Sequence, residues 1–109
     1  MNVAIAGTEF PRTHYDSRGD VLYLNSEAWQ GRSTNPLVSD EGHGVELDES
    51  GRLIAMTIVG ARWWLERDGE LRITLPAEQL TPRELAALGG SCALRVSEAE
   101  LAPALKSAA

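Results

Sequence analysis

Two short stretches of the chain gather side chains able to do chemistry. In "THYDSRGDVLYL", His14, Asp16, Arg18 and Asp20 stand close together, and in "SDEGHG" Asp40, Glu41 and His43 do the same. Imidazole and carboxylate groups are the ordinary ligands of a divalent cation. Arg18-Gly19-Asp20 also spells the tripeptide that certain adhesion receptors recognise. Near the carboxyl end, Ser91 and Cys92 follow a pair of glycines and offer a hydroxyl and a thiol as nucleophiles.

Each of these readings meets a simpler one. The two histidines are far apart and lack the HxH or HxxxH spacing that places two imidazoles on one ion, which favours surface histidines over a metal site. A glycine between polar residues is the usual solution for a hairpin bend, with Asp16 accepting backbone hydrogen bonds in the turn and Asp20 beginning the return strand. "LGGSCAL" lacks the flanking glycines of a nucleophile elbow, and no Gly-Lys-Ser or Gly-Lys-Thr phosphate loop occurs. The sequence therefore points away from catalysis and predicts no cofactor and no metal.

The aromatic residues point to binding. Trp63 and Trp64 are adjacent, and on a strand consecutive side chains face opposite ways, so one enters the core and the other needs cover from a tail helix or another subunit. Tyr23, Trp29, Trp63 and Trp64 are the candidate interface or pocket residues. The segment "VLYLNS" reads as a sheet edge open to pairing across a two-fold axis.

The elements that must position these residues are legible from turns and periodicity. Val3 and Ile5 permit a short first strand, so residues 1–11 form an amino-terminal strand or arm. Residues 12–76 read as an antiparallel sheet module. "HYD" and "DVLYLNS" flank a tight reversal, and "GVELD" and "RLIAMTIVGA" flank the turn "DESG". Leu53, Ala55, Thr57 and Val59 alternate with Ile54, Met56 and Ile58, and both sets are apolar or small, which marks a central strand. Asp68-Gly69 suits a third two-residue reversal joining "ARWWLE" to "ELRITL". The stretch between the first two hairpins is rich in Gly, Ser, Asn and Pro and reads as a loop with a short strand near Leu37 and Val38.

Residues 77–109 read as a helical carboxyl-terminal segment. Thr81 is an N-cap with Pro82 at the first helical position, Glu84 closing a capping box and Gly89-Gly90 ending the helix. Ser97 and Glu100 offer a second capping box, and Pro103 kinks or shortens that helix. "LRITLPAEQLTP" and "LRVSEAELAP" look alike, a likeness with structural meaning only if both lie at equivalent places on the sheet. The expected fold is a single α+β domain over residues 1–109. It is an antiparallel β-meander of hairpins, with one or two C-terminal helices packed on one face.

Composition bounds the function. A chain of 109 residues with 43% hydrophobic and 24% charged residues can bury one core without staples. The 16 acidic residues exceed the ten basic ones for a net charge of -6, which argues against nucleic acid and anionic membrane as partners. It leaves a basic protein as a possible partner. The single cysteine and the lack of a signal peptide or membrane span predict a cytoplasmic location.

The run from His14 to Ala61 resembles the small bacterial family DUF2283, a domain of unknown function. The resembling motifs are "YDSRGDVLYL", like that family's opening Tyr-Asp, spaced Asp and Leu-Tyr hairpin, and "GHGVELDESGRLIAMTIVGA", like its Gly-Val strand, acidic turn and Gly-Arg-led apolar strand. The loop through Trp29 and Pro36 is longer than is usual there, and the chain from Arg62 onward extends beyond the core motif. The resemblance implies an antiparallel hairpin module and brings no functional residues. Some relatives are encoded beside small toxin-like domains, so it also implies an antitoxin-like role. The leading expectation is a non-enzymatic interaction module that self-associates. The alternatives are an antitoxin-like protein covering a small basic partner, and a small-ligand binder or minor enzyme with a pocket between sheet and helices.

Overall fold

The computed structural model describes residues 3–5, 7–27 and 35–105. The fold is α+β, built on antiparallel sheets with helices mostly towards the carboxyl end. β1 (Val3–Ile5) and β2 (Thr8–Phe10) form a small hairpin. β3 (Arg12–Asp16), β4 (Val21–Asn25), β5 (Asn35–Val38), β6 (Gly44–Leu47) and β7 (Leu53–Val59) make a five-stranded sheet in the order β3-β4-β7-β6-β5. The strand predicted near Leu37 and Val38 is β5, and the expected central strand is β7.

Alternation gives this sheet two faces. Leu22 and Leu24 of β4 are register partners of Ile58 and Met56 of β7, and Val45 of β6 pairs with Met56. All five side chains are buried in one core cluster with Leu101, Ala104 and Leu105 from the carboxyl-terminal helix. A β-bulge at Ile54 shifts the register so that Leu53 opposes Leu47, and Leu53 joins the core face instead of sharing a side with Ala55 and Thr57.

The second hairpin is tied down by its turn and by a close approach. The Asp48 carboxylate accepts from the Ser50 and Arg52 amides, both at 2.9 Å. Gly51 has φ 86°, and a β-carbon there would lie 2.7 Å from the Glu84 α-carbon, so only glycine lets the next helix pack on this turn. That helix is α2 (Pro82–Ala87), whose N-cap Thr81 and Glu84 form the expected capping box.

The third reversal is where the structure departs from expectation. "ARWWLERD" is α1 (Ala61–Asp68), and Gly69 is its C-cap in the left-handed conformation, its N–H donating to the Leu65 carbonyl at 2.8 Å. A Gly after Asp serves a hairpin or a helix end equally well. The helix wins because Asp20, distant in sequence, caps its amino end. β8 (Glu70–Thr74) therefore pairs with β9 (Ala93–Ser97), after which α3 (Glu98–Leu105) begins at the Ser97 and Glu100 capping box with Pro103 inside it.

The look-alike stretches meet in that pair. Leu71↔Val96, Arg72↔Arg95 and Ile73↔Leu94 place "LRI" and "LRV" about a local two-fold, each leading into a helical segment. Two like charges stand opposite at the centre, an unfavourable arrangement by itself. Glu70 offsets it, with Oε2 at 3.2 Å from Arg72 Nε and 3.6 Å from Arg95 Nε.

Candidate functional site

The conspicuous polar cluster in "THYDSRGD" is structural. Asp20 adopts φ 55°, a conformation that Asp tolerates better than most residues. Its carboxylate accepts from the buried Tyr15 hydroxyl at 2.7 Å, from the Arg62 amide at 2.8 Å and from the Trp63 amide at 3.1 Å. Its carbonyl also receives the Gly60 and Ala61 amides. The aspartate thus ends the turn and caps α1, satisfying amides that a helix start leaves without partners. Burial works to raise the Asp20 pKa, but these hydrogen bonds and the Arg62 charge outweigh it and hold the carboxyl below its ordinary value. A carboxylate so engaged is not presented to a receptor. Asp16 accepts the Arg18 amide at 3.0 Å, as a turn aspartate should.

The two histidines do not meet. His14, Tyr23, Thr57 and Gly44 are register partners in one row, which separates His14 from the loop carrying His43 by about 14 Å at normal strand spacing. His14 is exposed and stacks on Tyr23 with ring centroids 6.0 Å apart. His43 is fully enclosed. Glu41 is engaged elsewhere, accepting the Thr74 amide and hydroxyl at 2.7 Å each. Among the described residues, no three His, Cys, Asp or Glu side chains converge on one point. The Ser91 hydroxyl turns back onto the Ala93 backbone.

The tryptophan pair sits on a helix instead of a strand, so its two side chains diverge by about 100° instead of pointing oppositely. Trp64 is half-buried and meets His43 edge-on at 6.1 Å. Trp63 is 54% exposed. The Arg67 guanidinium lies over both rings, at 5.3 Å and 5.6 Å from their centroids. Trp29 lies outside the described residues. "VLYLNS" is not an edge, because β4 is flanked by β3 and β7; the sheet ends at β3 and at β5, where Pro36 removes a backbone donor.

What remains is the sheet face turned away from the core. Its central rows carry Val21, Tyr23 and Asn25 of β4, Ala55, Thr57 and Val59 of β7, and Gly44 and Glu46 of β6, with Pro36 and Val38 at the margin. Tyr23 is 39%, Val59 49% and Val38 66% exposed. Small residues in the middle and larger ones at the sides make a groove of about 440 Å³, lined by Tyr23, Asn25, Pro36, Val38, Glu46 and Thr57 over Gly44 and Ala55. This groove lies on the face away from the core, and of the candidate residues Tyr23 lines it and Trp63 does not. Periodicity carried the signal for this surface, because every other residue of β4 and β7 had to face somewhere.

A second hollow, of about 510 Å³, opens between the β1–β2 hairpin and the start of β7, with Thr8, Glu9, Ser26, Glu27 and Arg52 in its wall. Ser26 is buried there and its hydroxyl has no hydrogen-bond partner. No helix is long and apolar enough to cross a membrane among the described residues. Comparison with protein-family models, with curated proteins and with solved structures finds no match to this chain.

Proposed function

We propose that this protein is a non-enzymatic interaction module that pairs with a second copy of itself through the open face of its five-stranded sheet. The observation that carries this reading is the apolar groove bounded by the exposed Tyr23 and Val38, with Val59 exposed on the same face. Such a face is normally covered in an antiparallel sheet unless its outward residues are polar. Here β4, β6 and β7 place one charged side chain, Glu46, on that face, and the edge strand β3 adds Arg12, His14 and Asp16 at its margin.

A second copy suits this surface because two twisted sheets stack face to face at about 10 Å, and a two-fold axis pairs each patch with itself. Size decides the expected strength. Five strands at normal spacing, each about five residues long, present roughly 400 Å² of flat area per copy, against about 800 Å² per partner in a standard stable interface. The pairing is therefore expected to be weak, with dissociation in the micromolar range. The likeness to the DUF2283 hairpin module belongs with this reading, since it supplies a sheet and no catalytic residues.

Sedimentation velocity across a concentration series tests it. The wild-type chain should shift towards a dimer at high micromolar concentration, and Tyr23→Ser with Val59→Lys should hold it monomeric. A wild-type monomer at every concentration would remove the proposal, and a dimer that survives both substitutions would move it to another surface. Retention of a stoichiometric basic protein on purification from the native cell would instead support the antitoxin-like reading.

A second reading is favoured by the unpartnered Ser26 hydroxyl: a small polar ligand held in the hollow beside Arg52 and Glu9. A rise in melting temperature with one compound of a metabolite set, lost in Arg52→Ala, would favour it. The absence of any shift across the set would dismiss it.

A further inference from the structure

His43 is enclosed on every side, and its two ring nitrogens have unequal partners. Nδ1 accepts the amide of Val59, the last residue of β7, at 3.1 Å. A ring nitrogen that accepts is unprotonated, so the neutral imidazole carries its proton on Nε2. Nε2 is buried with no hydrogen-bond partner. The loop around the ring is tight. The Ser39 amide donates to the His43 carbonyl at 2.8 Å, the His43 amide donates to the Ser39 hydroxyl at 3.0 Å, and the Gly42 amide donates to the Ser39 carbonyl at 2.9 Å. Trp64 closes the enclosure from α1.

The charged groups around this ring can be taken element by element. Its own loop supplies Asp40, which is exposed, and Glu41, whose carboxylate is bound to Thr74 of β8. α1 supplies Arg67, stacked on Trp64. β8 carries Glu70 and Arg72, which bridge to each other. β5 and β7 have no titratable side chain, and the Glu46 of β6 lies on the open face. Burial acts against the imidazolium most strongly, Glu41 favours it, and the balance holds His43 below the ordinary histidine value.

We propose that His43 is a proton-operated latch on the junction between β7 and α1. In the neutral state Nδ1 holds the Val59 amide closed. Once protonated, both ring nitrogens are donors, so the Val59 N–H faces another N–H, and a charge lies in an enclosure without an acceptor at Nε2. The junction then opens between Val59 and the 39–43 loop, at the strand end that leads into the helix carrying Trp63 and Trp64, while Asp20 still caps that helix.

The direction with pH follows from the preference of the closed form for neutral imidazole. Its stability is complete above the pKa of the open form, about 6.5, and is lost as pH falls from there towards the lower pKa of the closed form. Within that window the opening constant rises as pH falls, by at most about tenfold per pH unit for one proton. The latch does not depend on the docking proposed for the open face, although Val59 belongs to both.

NMR on the full chain between pH 8 and pH 5 tests the latch, with a His14→Gln variant identifying the His43 ring signals. The expected result is a His43 ring that titrates below the ordinary histidine value, with the exchange protection of the Val59 amide falling as pH drops below about 6.5 while the mid-sheet amides of Leu24 and Met56 keep theirs. Three results would overturn it: a His43 that titrates at or above the ordinary histidine value, a Val59 amide still fully protected at pH 5, or loss at Val59 only in step with Leu24 and Met56. His43→Gln removes the titrating group and should flatten the pH dependence at Val59. If that variant does not fold, the wild-type titration decides alone.

Discussion

The two faces of the five-stranded sheet are made by the same strands, one residue out of phase. On one side Leu22, Leu24, Val45, Met56 and Ile58 have essentially no exposed surface, because α3 and the β1–β2 hairpin close over them. On the other, the Tyr23 ring and Val59 remain open although both are largely apolar. The difference lies in what the rest of the chain covers. Alternation produces a two-sided ribbon, and the path of the tail selects which side becomes the interior.

Substitutions on the two faces should separate sharply. Leu22→Ala, on the closed face, is expected to lose about 2–5 kcal/mol of stability because it leaves a cavity that its neighbours fill only in part. Urea unfolding would measure this, and a loss below about 1 kcal/mol would mean that this face is less tightly packed than its burial indicates. Asp20→Ala, where the sheet meets α1, is expected to lose about 2 kcal/mol, since it removes a helix cap and places Ala at a positive φ.

The same carboxyl gives a pH prediction. Its folded pKa is depressed, so its contribution is present above the unfolded value of about 3.9 and is lost as pH falls through the folded pKa. Asp20→Asn should flatten that acid limb, which melting curves between pH 5 and pH 2 would report. An unchanged limb would assign the acid loss to other groups, such as Asp48 or Glu41.

Smaller effects belong to exposed positions. Glu70→Gln leaves Arg72 and Arg95 opposed without their shared partner and should lose about 0.5 kcal/mol, less at high salt. Tyr23→Ser, one residue from Leu22 but on the open face, should change monomer stability by no more than about 0.5 kcal/mol. Its effect should fall on association instead. A large loss of monomer stability from Tyr23→Ser would erase the contrast between the faces.

Much of the architecture was legible because its signals are local. The hairpin bends, the capping boxes at Thr81 and Ser97, and the apolar strand around Met56 rest on residues whose partners lie a few positions away. "ARWWLERDG" carries opposed local signals: an aspartate and glycine fit a hairpin or a helix end, and two tryptophans lean towards a strand against the helix-forming Ala, Arg, Leu and Glu around them. The bulge at Ile54 left no mark either, since Leu53, Ile54 and Ala55 are all apolar. The candidate site was half visible. Tyr23 was singled out for its type, whereas Val38 and Val59 became part of the same surface only through strand order.

By itself, the amino-acid order determined an acidic, single-cysteine α+β chain with alternating strands and two well-capped carboxyl-terminal helices, because period, turn chemistry and capping act over a few residues. Tertiary structure alone decided that Asp20 would cap a helix begun 41 residues later, as its bond to the Ala61 amide shows. It also decided that one histidine would be sealed and the other exposed, and that Tyr23 would face outward beside Val59. Those outcomes depend on which distant segments share a surface, and burial and hydrogen bonding between remote residues exist only after the chain has closed on itself.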